Sequence, residues 1–173
     1  YNGISERLEM VMPAMHWDPD KTLTDKYLAA AGNACRFNIP LRDKYVPGGE
    51  MWVTESGDAG CGGNTWASTY VDVFRTLNEL GEFATLTDGV IFHNTLASSA
   101  YGFLEHGTFD PRPNYFAVLL WTMIMGTEVY ESGIEVQPGA HIFAHSRKDG
   151  KEGLAYLAIN NSKEEETVLD LPK

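Results

Sequence analysis

The chain has 173 residues, of which 43% are hydrophobic and 21% are charged. This length and composition fit one domain with a hydrophobic core and exclude a disordered chain, a coiled coil or a disulfide-rich scaffold. Thirteen basic against 24 acidic residues give a net charge of −11, and a surface this negative repels nucleic acids and anionic membranes. The chain begins at Tyr1 without a Met, so we expect a piece of a longer protein.

The first three quarters of the chain predict helices that alternate with single short strands. In chain order we expect a helix that begins at Thr22 or Thr24 and is ended by Pro40, a buried strand at Met51–Thr54, a helix with Tyr70 on its apolar face and Gly81 just past its end, a buried strand at Gly89–His93, and a helix at Tyr115–Met125 capped by Asn114. The apolar stripe of the first helix is expected at Leu23, Tyr27, Ala30, Ala31 and Ala34. Such alternation is typical of a parallel sheet in an α/β fold.

The last forty residues show a different pattern. They predict three antiparallel strands at His141–Ser146, Gly153–Ile159 and Glu166–Leu171. Asp149-Gly150 and Asn160-Asn161-Ser162 supply the turns between these strands. We therefore expect two domains, at residues 1–133 and 134–173.

The functional loops of α/β folds follow the carboxyl ends of the strands. Glu55 comes directly after the first predicted strand, where a carboxylate is either held rigidly for catalysis or is solvated. The glycines of the loop that follows form either an anion-binding cluster of backbone N–H groups or a plain turn. That loop has no Lys, so it is no nucleotide phosphate loop.

The second predicted strand leads into His93, Asn94 and Tyr101. Asn94 and Tyr101 either hydrogen-bond a polar ligand such as a sugar or cap the loop. The histidines lack the spacing of metal motifs, and we predict no metal and no cofactor. Cys35 and Cys61 allow one disulfide at most, although two free thiols are the simpler interpretation.

The motifs in these loops together resemble a known family. Trp52-Val53-Thr54-Glu55-Ser56 followed by Cys61-Gly62-Gly63 is similar to the nucleophile segment of glycoside hydrolase family 79, the heparanase and β-glucuronidase family. Tyr101-Gly102-Phe103-Leu104 and the stretch from Thr108 to Phe116 resemble the segments that follow it. Further similar segments are Leu119-Leu120-Trp121, Leu154–Asn160 and Tyr1-Asn2-Gly3.

The resemblance implies a (β/α)8 TIM barrel followed by the first strands of a β-sandwich. Met51–Thr54 and Gly89–His93 would be barrel strands seven and eight. Glu55 would be the nucleophile of a retaining glycosidase, which forms a covalent glycosyl-enzyme. The acid/base of the family follows strand four, so it would lie upstream of Tyr1, with the remainder of the barrel.

The resemblance also implies a substrate site. The backbone N–H groups of Cys61 and Gly62 and the Tyr101 hydroxyl would hold the carboxylate of a uronic acid sugar, and Asn94 and Tyr1 would contact the substrate. Cys61 replaces the usual glycine, Asn94 stands where many members carry Gln, and His93 replaces an Arg.

We therefore expect part of a glycosidase that acts on β-glucuronides or uronic-acid-containing glycans, with a carbohydrate as its partner and no nucleic acid or membrane. Two alternatives stay open: a non-catalytic carbohydrate-binding relative, and a retaining barrel glycosidase for neutral sugars. The resemblance suggests a secreted or periplasmic location.

Overall fold

The computed structural model describes residues 19–58 and 63–170 of the chain. It is a mixed α/β structure with these elements in chain order: α1 (Asp25–Tyr45), β1 (Val53–Ser56), α2 (Tyr70–Leu86), β2 (Ile91–His93), α3 (Pro113–Ile124), β3 (Met125–Tyr130), β4 (Ala140–Arg147) and β5 (Leu154–Asn160). The β1 and β2 strands pair in parallel, with Val53 opposite Ile91 and Ser56 opposite His93. The alternation of helices with parallel strands is therefore confirmed.

Helix α1 begins where the sequence indicates and ends later. Thr24 is its N-cap and accepts a hydrogen bond from the backbone N–H of Tyr27 at 3.4 Å. The predicted end at Pro40 is wrong, because the helix continues to Tyr45. A proline removes one intrahelical hydrogen bond, and the turn beyond it is closed by the Val46 N–H, which donates to the Arg42 carbonyl at 2.7 Å.

The buried stripe of α1 also differs from the expected one. Leu28 and Cys35 are its buried side chains, and Gly32 lies between them. Ala30 and Ala34 are exposed, so their predicted burial is wrong. Ala carries too little apolar surface to decide which face of a helix turns inward.

Helix α2 does not end at Gly81, as its sequence predicts, but runs to Leu86. Gly81 is buried inside the helix, and a Cβ atom built there would lie 2.4 Å from the ring of Phe143 on β4. The glycine therefore serves a close approach of helix to sheet and is no C-cap.

Helix α3 begins at Pro113, two residues earlier than expected, with Arg112 as its N-cap. Proline suits the first helical turn because the N–H that it lacks has no partner there. Asn114 is therefore not the cap. It is fully buried, and its Nδ2 donates to Ser68 Oγ at 3.2 Å.

The second sheet is antiparallel with the order β3-β4-β5. The strands predicted at His141–Ser146 and Gly153–Ile159 are confirmed, since they lie within β4 and close to β5. The third predicted strand is wrong for residues 166–170, which form no ladder. There, Gln137 Nε2 donates to the Glu166 carbonyl and to Thr167 Oγ1, at 3.0 and 2.8 Å.

The place of the third strand is taken by β3, which follows α3 directly and pairs with β4. Helices α2 and α3 pack on this sheet through a shared hydrophobic core, whose buried members are Leu77, Ala117, Met125, Leu157 and Ile159. The division into two domains at residue 134 stays a prediction.

The parallel strands are less buried than expected. Trp52 and Phe92 are 53% and 47% exposed, and Thr54 is exposed as well. Parallel strands are buried when both faces of their sheet are covered, and residues 19–58 and 63–170 do not cover both. In these same ranges, no helix combines the length and the apolar character that crossing a membrane requires.

Candidate active site

The carboxyl ends of β1 and β2 bring two predicted site residues together. Glu55 is the third of the four residues of β1, and its side chain is exposed. Asn94 directly follows the end of β2. Asn94 Nδ2 donates a hydrogen bond to Glu55 Oε1. The backbone N–H of Asn94 donates to the Ser56 carbonyl at 2.8 Å, which fixes the register of the pair.

Glu55 and Asn94 lie on the wall of a cleft with a volume of about 770 Å³. Tyr101, from the loop after β2, lines the same cleft, and so do Trp52 and Gly57. The side of α1 forms the other wall, through Ala31, Ala34, Cys35 and Asn38. Three of the residues singled out by sequence therefore meet in one concave site, the usual form of a small-molecule site.

The ring of Tyr101 packs against two glycines of the loop after β1. A Cβ atom at Gly63 would lie 2.8 Å from Tyr101 Cδ1, and Gly63 has a φ of +80° that favours glycine. A Cβ atom at Gly57 would lie 4.0 Å from Tyr101 Cδ2. The missing side chain of Gly63 thus makes room for the tyrosine, whereas the ring only touches Gly57 at ordinary contact distance. Cys61, Gly62 and Tyr1 lie outside the described residues.

His93 contacts the backbone of Tyr101. Its Nε2 lies 3.2 Å from the Tyr101 carbonyl, and its ring stacks on Phe103 with 3.8 Å between the centroids. Burial lowers the pKa of His93 from its usual 6.5, so the ring is neutral at pH 7. Since a carbonyl only accepts hydrogen bonds, the single proton belongs on Nε2.

Two further polar residues of the site were missed by sequence reasoning. Asp58 is buried, and its Oδ2 accepts a hydrogen bond of 2.5 Å from the Asn64 N–H, which closes the glycine loop. Burial raises the pKa of the Asp58 carboxyl. Tyr27 of α1 donates through its hydroxyl to the Asp58 carbonyl at 3.1 Å. Asp is an ordinary turn residue and Tyr is an ordinary member of an apolar helix stripe, so neither type gave a signal of this role.

Glu79 of α2 is a second carboxylate on the cleft wall. It is paired with Arg75 at 2.8 Å, and Arg75 is also paired with Asp72 at 2.5 Å. Burial alone lowers the pKa of Arg75, but the two neighbouring carboxylates raise it above the usual value. Glu79 is therefore paired with a cation, whereas the partner of Glu55 is a neutral amide.

The cysteines and possible metal ligands add no chemistry to the described part of the cleft. Cys35 is a free, buried thiol whose Sγ lies 3.2 Å from Met51 Sδ. Burial raises the pKa of this thiol, which makes it a weak nucleophile. Within residues 19–58 and 63–170, no cluster of three or more His, Cys, Asp or Glu side chains could hold a metal ion.

Comparison with known proteins gives a consistent result. No family model matches the chain. The chain is 33% identical to heparanase-like protein 1 of Arabidopsis thaliana over 152 residues, which cover 87% of this chain and 28% of that protein. It is 32% identical to baicalin-beta-D-glucuronidase of Scutellaria baicalensis over 121 residues, which cover 69% of this chain and 23% of that enzyme.

A third relative is named for the loss of activity. Inactive heparanase-2 of Homo sapiens is 28% identical over 98 residues, which cover 54% of this chain and 17% of that protein. The matched part of the chain thus spans between 17% and 28% of the length of these relatives. The chain belongs to the heparanase-like and β-glucuronidase-like proteins.

Proposed function

We propose that this chain is part of a retaining glycosidase that cleaves β-glycosidic bonds of glucuronides or other uronic-acid-containing glycans. The observation that carries the proposal is the Glu55–Asn94 pair at the rim of the cleft, with Tyr101 beside it. The names of two relatives, a heparanase-like protein and a β-D-glucuronidase, agree with such a substrate class.

Glu55 has the properties that a nucleophile requires. Its carboxylate is exposed to the cleft and bonded to an amide N–H rather than to a cation. A neutral partner orients the carboxylate without neutralising its charge. In the proposed mechanism a Glu55 oxygen attacks the anomeric carbon, the glycosidic oxygen leaves, and the sugar is held as an ester until water releases it.

The reaction also needs a carboxylic acid about 5 Å from the nucleophile, to protonate the leaving oxygen and later to activate water. The other carboxylate on the described cleft wall is that of Glu79, which forms an ion pair with Arg75. We propose that the acid is supplied upstream of this chain, together with the rest of a (β/α)8 barrel. The β1 and β2 strands would be barrel strands seven and eight, and the sheet of β3, β4 and β5 would begin a β-sandwich.

The uronic acid would be recognised by neutral donors. The proposed contacts to its carboxylate are the Tyr101 hydroxyl and the backbone N–H groups of Cys61 and Gly62, while Asn94 and Tyr1 would contact other parts of the substrate. Because His93 is neutral at pH 7, the described cleft offers the carboxylate hydrogen-bond donors rather than a cation.

One experiment tests the nucleophile. The full-length enzyme is incubated with a fluorinated glucuronosyl fluoride, which traps the glycosyl-enzyme, and the labelled peptide is identified by mass spectrometry. We expect the label on Glu55, none in Glu55→Gln, and normal labelling in the control Glu164→Gln, an exposed residue outside the cleft. Labelling of Asp58 or Glu79 would contradict the proposal.

The substrate class is tested by the hydroxyl of Tyr101. A hydrogen bond to a charged group contributes about 1.5–3 kcal/mol, so Tyr101→Phe should lower kcat/KM for an aryl β-glucuronide by roughly tenfold to a hundredfold. The matching aryl β-glucoside lacks the carboxylate and should hardly be affected. Equal losses on both substrates would favour a glycosidase for neutral sugars.

A second candidate function is a carbohydrate-binding relative without catalysis, which the similarity to inactive heparanase-2 favours. It predicts binding of glucuronides without turnover in the full-length protein, and no trapped intermediate at Glu55.

A further inference from the structure

The loop that carries Tyr101 has an unusual set of hydrogen bonds. Backbone carbonyls of surface loops commonly face water. Here four consecutive carbonyls each accept a hydrogen bond from a side chain of another segment. The donors are Arg112 Nη1 to the Ser99 and Ala100 carbonyls, His93 Nε2 to the Tyr101 carbonyl, and Ser68 Oγ to the Gly102 carbonyl. We call residues 99–102 the tyrosine turn.

Arg112 makes two of these four contacts, and its guanidinium is itself oriented. Glu105 Oε2 accepts hydrogen bonds from Arg112 Nε at 2.9 Å and from Nη2 at 2.7 Å. This pair leaves Nη1 facing the tyrosine turn, where it lies 3.1 Å from the Ser99 carbonyl. The planar fork of an arginine can hold both partners at once, which the single ammonium of a lysine cannot do in the same geometry.

The side chain of Arg112 is not needed to build helix α3. The N-cap contacts of Arg112 are made by its backbone: its carbonyl accepts from the Tyr115 N–H at 3.0 Å, and its N–H donates to the Phe103 carbonyl at 2.9 Å. Any residue other than proline supplies the same backbone groups. Replacing the side chain therefore leaves the helix start intact and removes the contacts to the tyrosine turn.

We propose that Arg112 is a positioning residue for Tyr101 and thereby determines the selectivity of the site for uronic acids. The proposal rests on the proposed function, in which the Tyr101 hydroxyl holds the substrate carboxylate. Arg112 acts through the Ser99 and Ala100 carbonyls, which precede Tyr101 directly. With the turn fixed, the tyrosine ring stays against Gly57 and Gly63 before substrate arrives, so that binding does not have to order the loop.

The first measurement is made on the full-length protein. Hydrogen exchange is followed at the N–H groups of Gly102, Phe103 and Leu104, which donate to the Ser99, Thr95 and Leu96 carbonyls. We expect faster exchange there in Arg112→Met and in Arg112→Lys. The matched control is Arg147→Met, because Arg147 pairs with Asp149 through Nε and Nη2 in the same way but contacts no such turn.

The second measurement uses the full-length enzyme. Both Arg112 variants should raise KM for an aryl β-glucuronide by roughly tenfold, with kcat nearly unchanged, because a contact made equally in ground and transition states affects KM. KM for the aryl β-glucoside should stay at the wild-type value, and Arg147→Met should resemble wild type on both substrates.

Unchanged exchange in Arg112→Met, or recovery of exchange and KM by Arg112→Lys, would overturn the proposal, since charge alone would then suffice. A failure of the proposed function appears separately, as a Tyr101→Phe variant that binds the glucuronide as well as wild type. Even in that case the exchange of the tyrosine turn decides whether Arg112 positions Tyr101.

Discussion

Two clusters of carboxylates in this molecule have opposite surroundings. On α2, Asp72 and Arg75 are 1% and 4% exposed, and Glu79 completes their ion pairs. At the strand ends, Glu55 is exposed and is bonded to the neutral amide of Asn94. In the first cluster both carboxylates are paired with one cation, while in the second the carboxylate faces a cleft and is bonded to a neutral group.

The contrast shows where a charge serves stability and where it serves chemistry. A buried ion pair holds its own partners in place, and removing one partner strands the other in a medium of low dielectric. Replacing an exposed carboxylate costs little free energy of unfolding, because water solvates the polar groups that lose their partner. A carboxylate therefore has a structural role in the buried cluster of α2, whereas the carboxylate of Glu55 keeps an oxygen available for a ligand.

The largest expected effect breaks the buried cluster. Asp72→Ala leaves the Arg75 guanidinium with Glu79 as its remaining carboxylate and removes the acceptor of the Ser68 N–H, so we expect a loss of about 3 kcal/mol in the free energy of unfolding. Urea denaturation measures it. The control Asp20→Ala removes an exposed pair with Lys163 and should cost less than about 1 kcal/mol. Equal losses in both variants would contradict the contrast.

The next effect concerns the far end of the same helix. An alanine is normally better than glycine inside a helix by about 1 kcal/mol, but at Gly81 its Cβ would meet the stiff ring of Phe143 at 2.4 Å. We expect Gly81→Ala to destabilise the protein by about 1–3 kcal/mol. At Gly32 the Cβ would meet the side chain of Glu82, which can move at the cost of its part-exposed ion pair with Arg36, so Gly32→Ala should cost less than Gly81→Ala. A stabilised Gly81→Ala variant would refute this packing.

A smaller effect depends on pH and on His93, which contacts the Tyr101 carbonyl. Burial lowers the pKa of His93 below 6.5, so below that pH the unfolded chain binds a proton that the folded chain does not. The free energy of unfolding should therefore fall as the pH drops from 6.5 towards the folded pKa. Urea denaturation at about pH 7.5 and about pH 5 should show a shallower loss in His93→Gln than in wild type. An identical loss would contradict the assignment.

The smallest expected effect is at the exposed pair. Glu55→Gln keeps an oxygen for the Asn94 amide, and we expect the free energy of unfolding to change by less than about 0.5 kcal/mol. Thermal and urea denaturation of the full-length protein give this value. A loss above about 1 kcal/mol would mean that Glu55 has a structural role, and the contrast between the two clusters would fail.

Much of this site could be predicted from the sequence because its signals are local. The cap at Thr24 and the strands that carry Glu55 and Asn94 follow from residue types that act within a few positions. The pairing of Glu55 with Asn94 follows in turn, since parallel strands bring their carboxyl ends to one edge. The similarity to heparanase-like proteins was likewise readable in contiguous motifs, and the comparisons confirm it.

The errors fall where distant parts of the chain meet. Gly81 looked like a helix end because glycine commonly follows one, but its place is set by Phe143, 62 positions later in the chain. The sequence predicts Asn114 as a helix cap, but its side chain is buried and donates a hydrogen bond to the Ser68 hydroxyl. Local propensity depends on neighbouring residues and contains no information about partners this far away in the sequence.

The sequence by itself determined the composition class, the order of helices and parallel strands, and the positions of Glu55, Asn94 and Tyr101, because each depends on neighbours in the chain. The tertiary structure decided that β3 rather than residues 166–170 completes the antiparallel sheet, that α2 passes through Gly81, and that Arg112, His93 and Ser68 hold the tyrosine turn. These outcomes depend on hydrogen bonds and packing between segments far apart in sequence, whose free energy exceeds the small local preferences that a sequence displays.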